Sequence, residues 1–229
     1  MDSATAAKYR VLWAKSNPRH PLWKHLLDAA AVSLALPNPL NRFGWRSTQT
    51  ALIVGLHDIG KADASFQHQV AEFSEELHQA GFLATCDARC RHERLSARFF
   101  TNKLKGVGFN PYAATAIARA ILAHHGYWDE GARDIGIEYA NAQVELCGLL
   151  EQSLEVVNFP NDIPSDLSAF GMQLAGHIVL CDWIASNEKF FTDGRLKDVV
   201  EAGLYFTTAK EIAREWVIKL GLERSLEAG

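Results

Sequence analysis

Histidine and aspartate side chains stand inside apolar helical runs, or at their ends, at five separated places in this 229-residue chain. His25 lies one turn into a run from Leu22 to Leu36, and His57-Asp58 close a run that begins near Thr50. His92 opens a third, His124-His125 end an alanine-rich fourth, and Asp182 sits in the middle of the most apolar window of the chain. Burying such groups without partners is costly, so the fold must bring each to a polar neighbour or to a cation. Seven chemistry-bearing side chains spread over about 160 residues therefore constrain the topology more than any local propensity does.

The apolar spacing around these residues is helical throughout. Leu22, Leu26, Ala29, Ala30 and Leu34 form one stripe, opened by Pro21 and ended by Pro37-Asn38-Pro39. Ser47 is placed to cap a second helix that runs into His57-Asp58 and stops at Gly60. Further helices are expected from Asp63 to about Gln79, from His92 through Leu104, and from Asn110-Pro111 to His124-His125-Gly126. The remaining ones are Ile137 to Leu154, Asp166 to about Phe191, Leu196 to Gly203 and Thr207 to Leu220. Tyr9 to Ser16 reads as an apolar-basic lead, and no strand alternation is long enough to build a sheet. The expectation is an all-α fold: a single compact helical domain of about nine helices over residues 1–222, with residues 223–229 as a tail or linker.

With 48% hydrophobic and 22% charged residues the chain is ordinary for a globular protein, which excludes disorder outside the two ends. Cys86, Cys90, Cys147 and Cys181 show no regular framework, and Met1 to Arg10 has no apolar stretch resembling a secretion signal, so a reduced, cytoplasmic setting is expected. The window Ala169 to Ala185 is broken by Gln173, His177 and Asp182, so no membrane span is expected there. A net charge of −4 argues against a broad basic surface for nucleic acid. Two divalent ions would change that locally. Two aspartates and five neutral histidines holding them would form a positive point attractive to a phosphodiester.

Consecutive helical residues point ~100° apart, so His57 and Asp58 flank a cluster of two ions better than they face one. Mixed imidazole and carboxylate donors suit manganese, iron, cobalt or nickel, with magnesium as the alternative, better than a thiolate-type zinc site. Cys86-x3-Cys90-x-His92 hints at zinc but lacks a fourth ligand at suitable spacing. Asp28, three residues after His25, is placed to hold that imidazole from behind, and Ser186, one turn after Asp182, is a donor to it or a plain exposed serine. His20, His68, His78 and His177 read as surface or hydrogen-bonded core residues. Tyr127 and Trp128 either stack on a base or pack against the domain.

The order His25, His57-Asp58-x-Gly-Lys61, His92, His124-His125, Asp182 resembles the HD superfamily of metal-dependent phosphohydrolases. The neighbouring words LWAKS (12–16), HLLDAAAV (25–32), GLHDIGKADASFQ (55–67), AHHGYW (123–128) and CDWIASNEKFF (181–191) narrow it. They resemble the HD nuclease domain of the CRISPR-associated helicase–nuclease of type I systems, from about Val11 to Phe191. The resemblance implies that His25, His57, Asp58 and Asp182 bind one ion, and that Asp58, as bridge, binds the other with His92, His124 and His125. Lys61 would face the phosphate. It further implies a dinuclear-metal nuclease that hydrolyses single-stranded DNA without reading sequence. Its partners would be a helicase domain or subunit and the CRISPR surveillance complex. No helicase is contained in the chain itself, which has no phosphate-cradling Gly-rich loop with the lysine and Ser/Thr of a P-loop. An HD phosphohydrolase of nucleotides or cyclic nucleotides would share these ligands, and cleavage of a long oligonucleotide against a nucleoside triphosphate separates the two. A non-enzymatic docking module would keep only vestigial ligands, whereas here all seven positions are filled.

Overall fold

Eleven of the fourteen residues of α1 (Leu22–Ala35) are buried, so this helix is enclosed on nearly every side rather than along one stripe. The computed structural model that shows this describes residues 7–84, 89–126, 131–160, 164–191 and 194–223. Among them are ten α-helices and one two-stranded ribbon. The remaining helices are α2 (Ser47–Gly55), α3 (Ala64–Gln67), α4 (Ser74–Gln79), α5 (His92–Gly106), α6 (Pro111–Ala123), α7 (Ile137–Leu154), α8 (Leu167–Ala185), α9 (Glu188–Phe191) and α10 (Ala202–Lys219). Around α1 pack α2, α8 and α10, while α5 and α6 pair with each other and α6 leans on α8.

Several elements depart from the sequence-based expectation, each for a visible reason. The expected lead holds strand β1 (Trp13–Ser16), antiparallel to β2 (Arg19–Pro21). Gln67 clamps this ribbon: it accepts from the Trp13 backbone N–H at 3.1 Å and donates to the carbonyls of Trp13 at 2.8 Å and Lys61 at 2.9 Å. That long-range clamp is also why one helix from Asp63 to Gln79 is replaced by α3, a 3-10 turn at Ala71–Phe73 and α4. Arg46 rather than Ser47 caps α2, its N–H bonded to the Gln49 side chain at 2.9 Å. α2 ends at Gly55, so His57-Asp58 lie in the turn beyond it, ahead of a 3-10 turn at Ile59–Lys61. α8 stops at Ala185 because Lys15 takes the Ser186 carbonyl, and Asn187 accepts from Lys189 N at 3.0 Å to start α9. Glu201 caps α10 through the N–H groups of Gly203 and Leu204, which makes one helix where two were expected.

The turn carrying the dyad is pressed against α5. Gly60 N donates to Ser96 Oγ at 2.9 Å, and a Cβ at Gly60 would lie 2.0 Å from the His92 carbonyl oxygen. Only glycine permits this approach, which sets His92 beside Asp58. Gly60→Ala is expected to destabilise by about 3 kcal/mol, lowering the melting temperature by roughly 6–12 °C. A melting temperature equal to wild type would contradict the packing described.

α8 is long and apolar enough to cross a membrane by length and composition. Here Phe170, Leu174, Ile178 and Cys181 are in the core, and His177 meets Ser33 of α1 at 2.9 Å. Burial pushes the His177 imidazole down to about 4. The unfolded ring titrates near 6.5, so the contribution of neutral His177 is complete above that pH and is lost as pH falls towards 4. Between pH 7 and pH 5 the loss is about 2 kcal/mol. Thermal melts should show a steeper fall over this interval in wild type than in His177→Gln; parallel slopes would remove His177 as the cause.

Candidate metal centre

α1, the turn after α2, α5, the end of α6 and α8 each deliver donors to one point. The ligand atoms of His25, His57, Asp58 and Asp182 lie within 4.8 Å of one another, and so do those of Asp58, His92, His124 and His125. Asp58 belongs to both groups, and its two oxygens are divided between them. Oδ2 faces His25 Nε2 at 2.9 Å and His57 Nε2 at 3.4 Å. Oδ1 faces His92 Nε2 at 3.0 Å and His124 Nε2 at 3.5 Å. Asp182 Oδ1 is 3.4 Å from His57 Nε2 and 3.8 Å from His25 Nε2. His125 joins through its Nε2, 3.2 Å from His92 Nε2.

Two backbone carbonyls fix the rings. His57 Nδ1–H donates to Val54 O at 2.7 Å and His124 Nδ1–H to Ile121 O at 2.5 Å. The neutral form of each ring then carries its lone pair on Nε2, aimed at carboxylate oxygens that also only accept. His57 Nε2, His124 Nε2 and Asp58 Oδ1 are buried without a hydrogen-bond partner. Acceptors converging on one another in a dry site are satisfied by a cation between them, so the residues fit divalent metal ions. The carbonyls were not found from the sequence, though a signal existed: a histidine just past a helix end has orphan carbonyls three residues back.

The electrostatics point the same way. Burial opposes charge on His57, but the nearby Asp58 and Asp182 carboxylates outweigh it and raise its pKa. Burial likewise favours the neutral acid at Asp58, yet His57, Lys61 and His92 hold its carboxyl well below the usual range. The Asp182 carboxyl is also lowered, against its burial, by His57. Burial pushes His25 down to about 4, and the same cause, with the charges of His124 and His92, does so for His125. Both are neutral at neutral pH, the form that binds metal.

Lys61 Nζ sits 2.7 Å from Asp58 Oδ2, and Ser186 Oγ donates to Asp182 Oδ1 at 2.8 Å. Asp28 is a correction. Its Oδ2 meets His20 Nε2 at 2.7 Å and its Oδ1 accepts from Tyr205 OH at 2.9 Å, while His25 Nδ1 has no partner. Helical spacing does bring Asp28 to the right face, but the ribbon and α10, far away in sequence, claim its carboxylate. Tyr127, Trp128 and Cys86 lie outside the described residues.

The family model for the Cas3 HD domain matches residues 13–191. This chain belongs to that family. It is 30% identical to the CRISPR-associated endonuclease/helicase Cas3 of Thermus thermophilus, over 92% of this chain and 25% of the relative. The chain thus spans about a quarter of the length of that curated relative. Among solved structures, a CRISPR-associated protein superimposes with a TM-score of 0.79 at 29% identity, over 96% of this chain and 28% of the other. The Thermus thermophilus Cas3 HD domain determined in the presence of Ni2+ matches with a TM-score of 0.67 at 26% identity, over 94% and 92% of the two chains. As a Cas3 HD domain, this chain carries imidazole–carboxylate donors that fit divalent metal ions.

Proposed function

We propose that this Cas3 HD domain hydrolyses phosphodiester bonds of single-stranded DNA, without sequence preference, as the nuclease of type I CRISPR interference. The observation that carries the reading is the division of the Asp58 carboxylate between two complete donor groups, one oxygen to each. His25, His57, Asp58 and Asp182 would hold one divalent transition-metal ion, and Asp58, His92, His124 and His125 a second. Manganese, iron, cobalt and nickel suit this donor set, with magnesium as the alternative. Such ions supply water activation and charge stabilisation of the phosphoryl group in flight.

The chain's own residues do the rest. The side chains of His25, His57 and His124 are fully enclosed, while Asp182, His92 and Lys61 are 14%, 17% and 12% exposed. Substrate therefore approaches over Asp182, His92, Lys61 and the exposed His125. The Val54 and Ile121 carbonyls hold two imidazoles in the ligating tautomer, and Ser186 holds Asp182. Lys61, the cation at the open edge, meets the phosphate. Contacts confined to phosphate and sugar read no sequence.

A relative four times as long that is named an endonuclease/helicase supports a helicase domain or subunit as the partner that feeds the strand. The CRISPR surveillance complex is the proposed recruiter. Free thiols at Cys90, Cys147 and Cys181 suit the cytoplasm. The test is fragment release from a labelled single strand with manganese, lost on chelation and absent with a nucleoside triphosphate as substrate. Hydrolysis of the triphosphate alone would overturn the reading.

A further inference from the structure

The imidazoles that reach an oxygen of Asp58 are not all held in the same way. His57 and His124 each follow a helix and donate from Nδ1 to a carbonyl three residues back. His92 instead opens α5 behind an extended Arg91, so no helical carbonyl of that kind stands behind its ring. Its Nε2 is on the metal side, 3.0 Å from Asp58 Oδ1 and 3.2 Å from His125 Nε2. Its Nδ1 faces Glu93 Oε2 at 3.6 Å.

Glu93 is a carboxylate in an unusual place. Acids in the first turn of a helix commonly serve its dipole from the surface, but the Glu93 side chain is only 2% exposed. Burying a charge is costly unless it is paired and hydrogen-bonded. Arg91 supplies the opposite charge, its Nε 3.0 Å from Glu93 Oε1. That contact is not directed as a hydrogen bond, and Oε1 is buried without a hydrogen-bond partner. The fold thus sets a desolvated carboxylate against the outer nitrogen of His92. N–H···O bonds run to about 3.2 Å, so a shift of the ring by a few tenths of an ångström makes Nδ1–H a donor to Oε2. With the proton on Nδ1, the lone pair is on Nε2, towards Asp58 and His125.

We propose that Glu93 is the positioning residue of His92: its carboxylate accepts from Nδ1–H, holds the ring in the ligating tautomer and strengthens it as a donor to the ion of the Asp58, His92, His124 and His125 group. Glu93 then does for His92 what the Val54 and Ile121 carbonyls do for His57 and His124, with a full charge in place of a dipole. His92 belongs to one donor group and not to the other, so Glu93 acts on one ion only. This role rests on the two-ion reading of the site.

The test is calorimetric titration of manganese into the metal-free chain. Wild type should bind two ions. Glu93→Met, apolar and of similar length, should weaken one of them about 100-fold, and Glu93→Gln, which keeps the shape and one accepting oxygen, about 10-fold, the range for groups that support a ligand. The other ion should bind as in wild type. Combined with Asp182→Ala, which leaves only the second group intact, Glu93→Met should leave no tight site. The melting temperature of the metal-free chain should stay at the wild-type value, because an apolar side chain of similar volume often replaces a buried charge at no net cost. Wild-type affinities in Glu93→Gln, an equal weakening of both ions, or a wild type that holds no ion through the second group would each overturn the role. A chain that binds two ions with this Glu93 dependence yet cuts no strand would leave the role standing and remove the nuclease reading. Manganese-dependent strand cutting, with both affinities unchanged in the Glu93 variants, would do the reverse.

Discussion

Asp58→Ala is expected to lose both metal ions and all strand cleavage, whereas Asp182→Ala should keep one ion. The difference follows from the carboxylate geometry. Asp58 Oδ2 faces His25 and His57, and Oδ1 faces His92 and His124, so truncation removes a ligand from each group. Asp182 lies within the first group alone. Changes to residues that merely support a ligand cost 10–100-fold in affinity or activity; loss of a shared direct ligand should therefore exceed ~100-fold. Stability reports the same event independently of catalysis. Metal at 100 times its dissociation constant stabilises the folded state by ~2.7 kcal/mol, about 5–10 °C for a chain of this length. That increment should vanish in Asp58→Ala, with helical content retained because the dyad lies in a turn and not in a helix. Metal analysis beside thermal melts decides: equal metal content in wild type and Asp58→Ala would sink the assignment.

The convergence of these histidines and aspartates was legible in the sequence because such groups are expensive to bury, so their positions in apolar runs are informative even without contacts. Helices bounded by strong local chemistry were legible too. Pro111 with Asn110 starts α6, Gly136 precedes α7, and Asp166 accepts from Ala169 N at 2.9 Å to start α8. What escaped depends on partners distant in the chain. Gln67 clamps Trp13 from 54 residues away, which breaks an otherwise plausible helix and stabilises a ribbon that no alternation pattern announces. Asp28 sits at the helical spacing expected of a His25 support, yet Tyr205, 177 residues on, fixes it to another task. Periodicity records which face a side chain occupies. It does not record which of several neighbours on that face takes its hydrogen bonds.

The preference for single strands should be large, because access and charge both oppose a duplex. Three of the imidazoles are fully enclosed, and among the described residues the open edge presents Asp182, His92, His125 and Lys61. A phosphate must enter between helices to reach it. A single strand bends into such a site, whereas a duplex is stiff over ~50 nm and keeps its phosphates on a rigid surface. Net charge −4 leaves little basic surface to hold a duplex in compensation. With manganese, cobalt, nickel or ferrous iron, labelled single strands should be degraded at least ~10-fold faster than the blunt duplex of the same sequence, since even a 1.4 kcal/mol penalty on the duplex gives that ratio. ATP should change neither rate, because the chain has no phosphate-cradling loop with which to use it. The measurement is a time course on both substrates, with and without ATP. Duplex cleavage as fast as single-strand cleavage, or any response to ATP, would show that strand feeding is not left to a separate helicase.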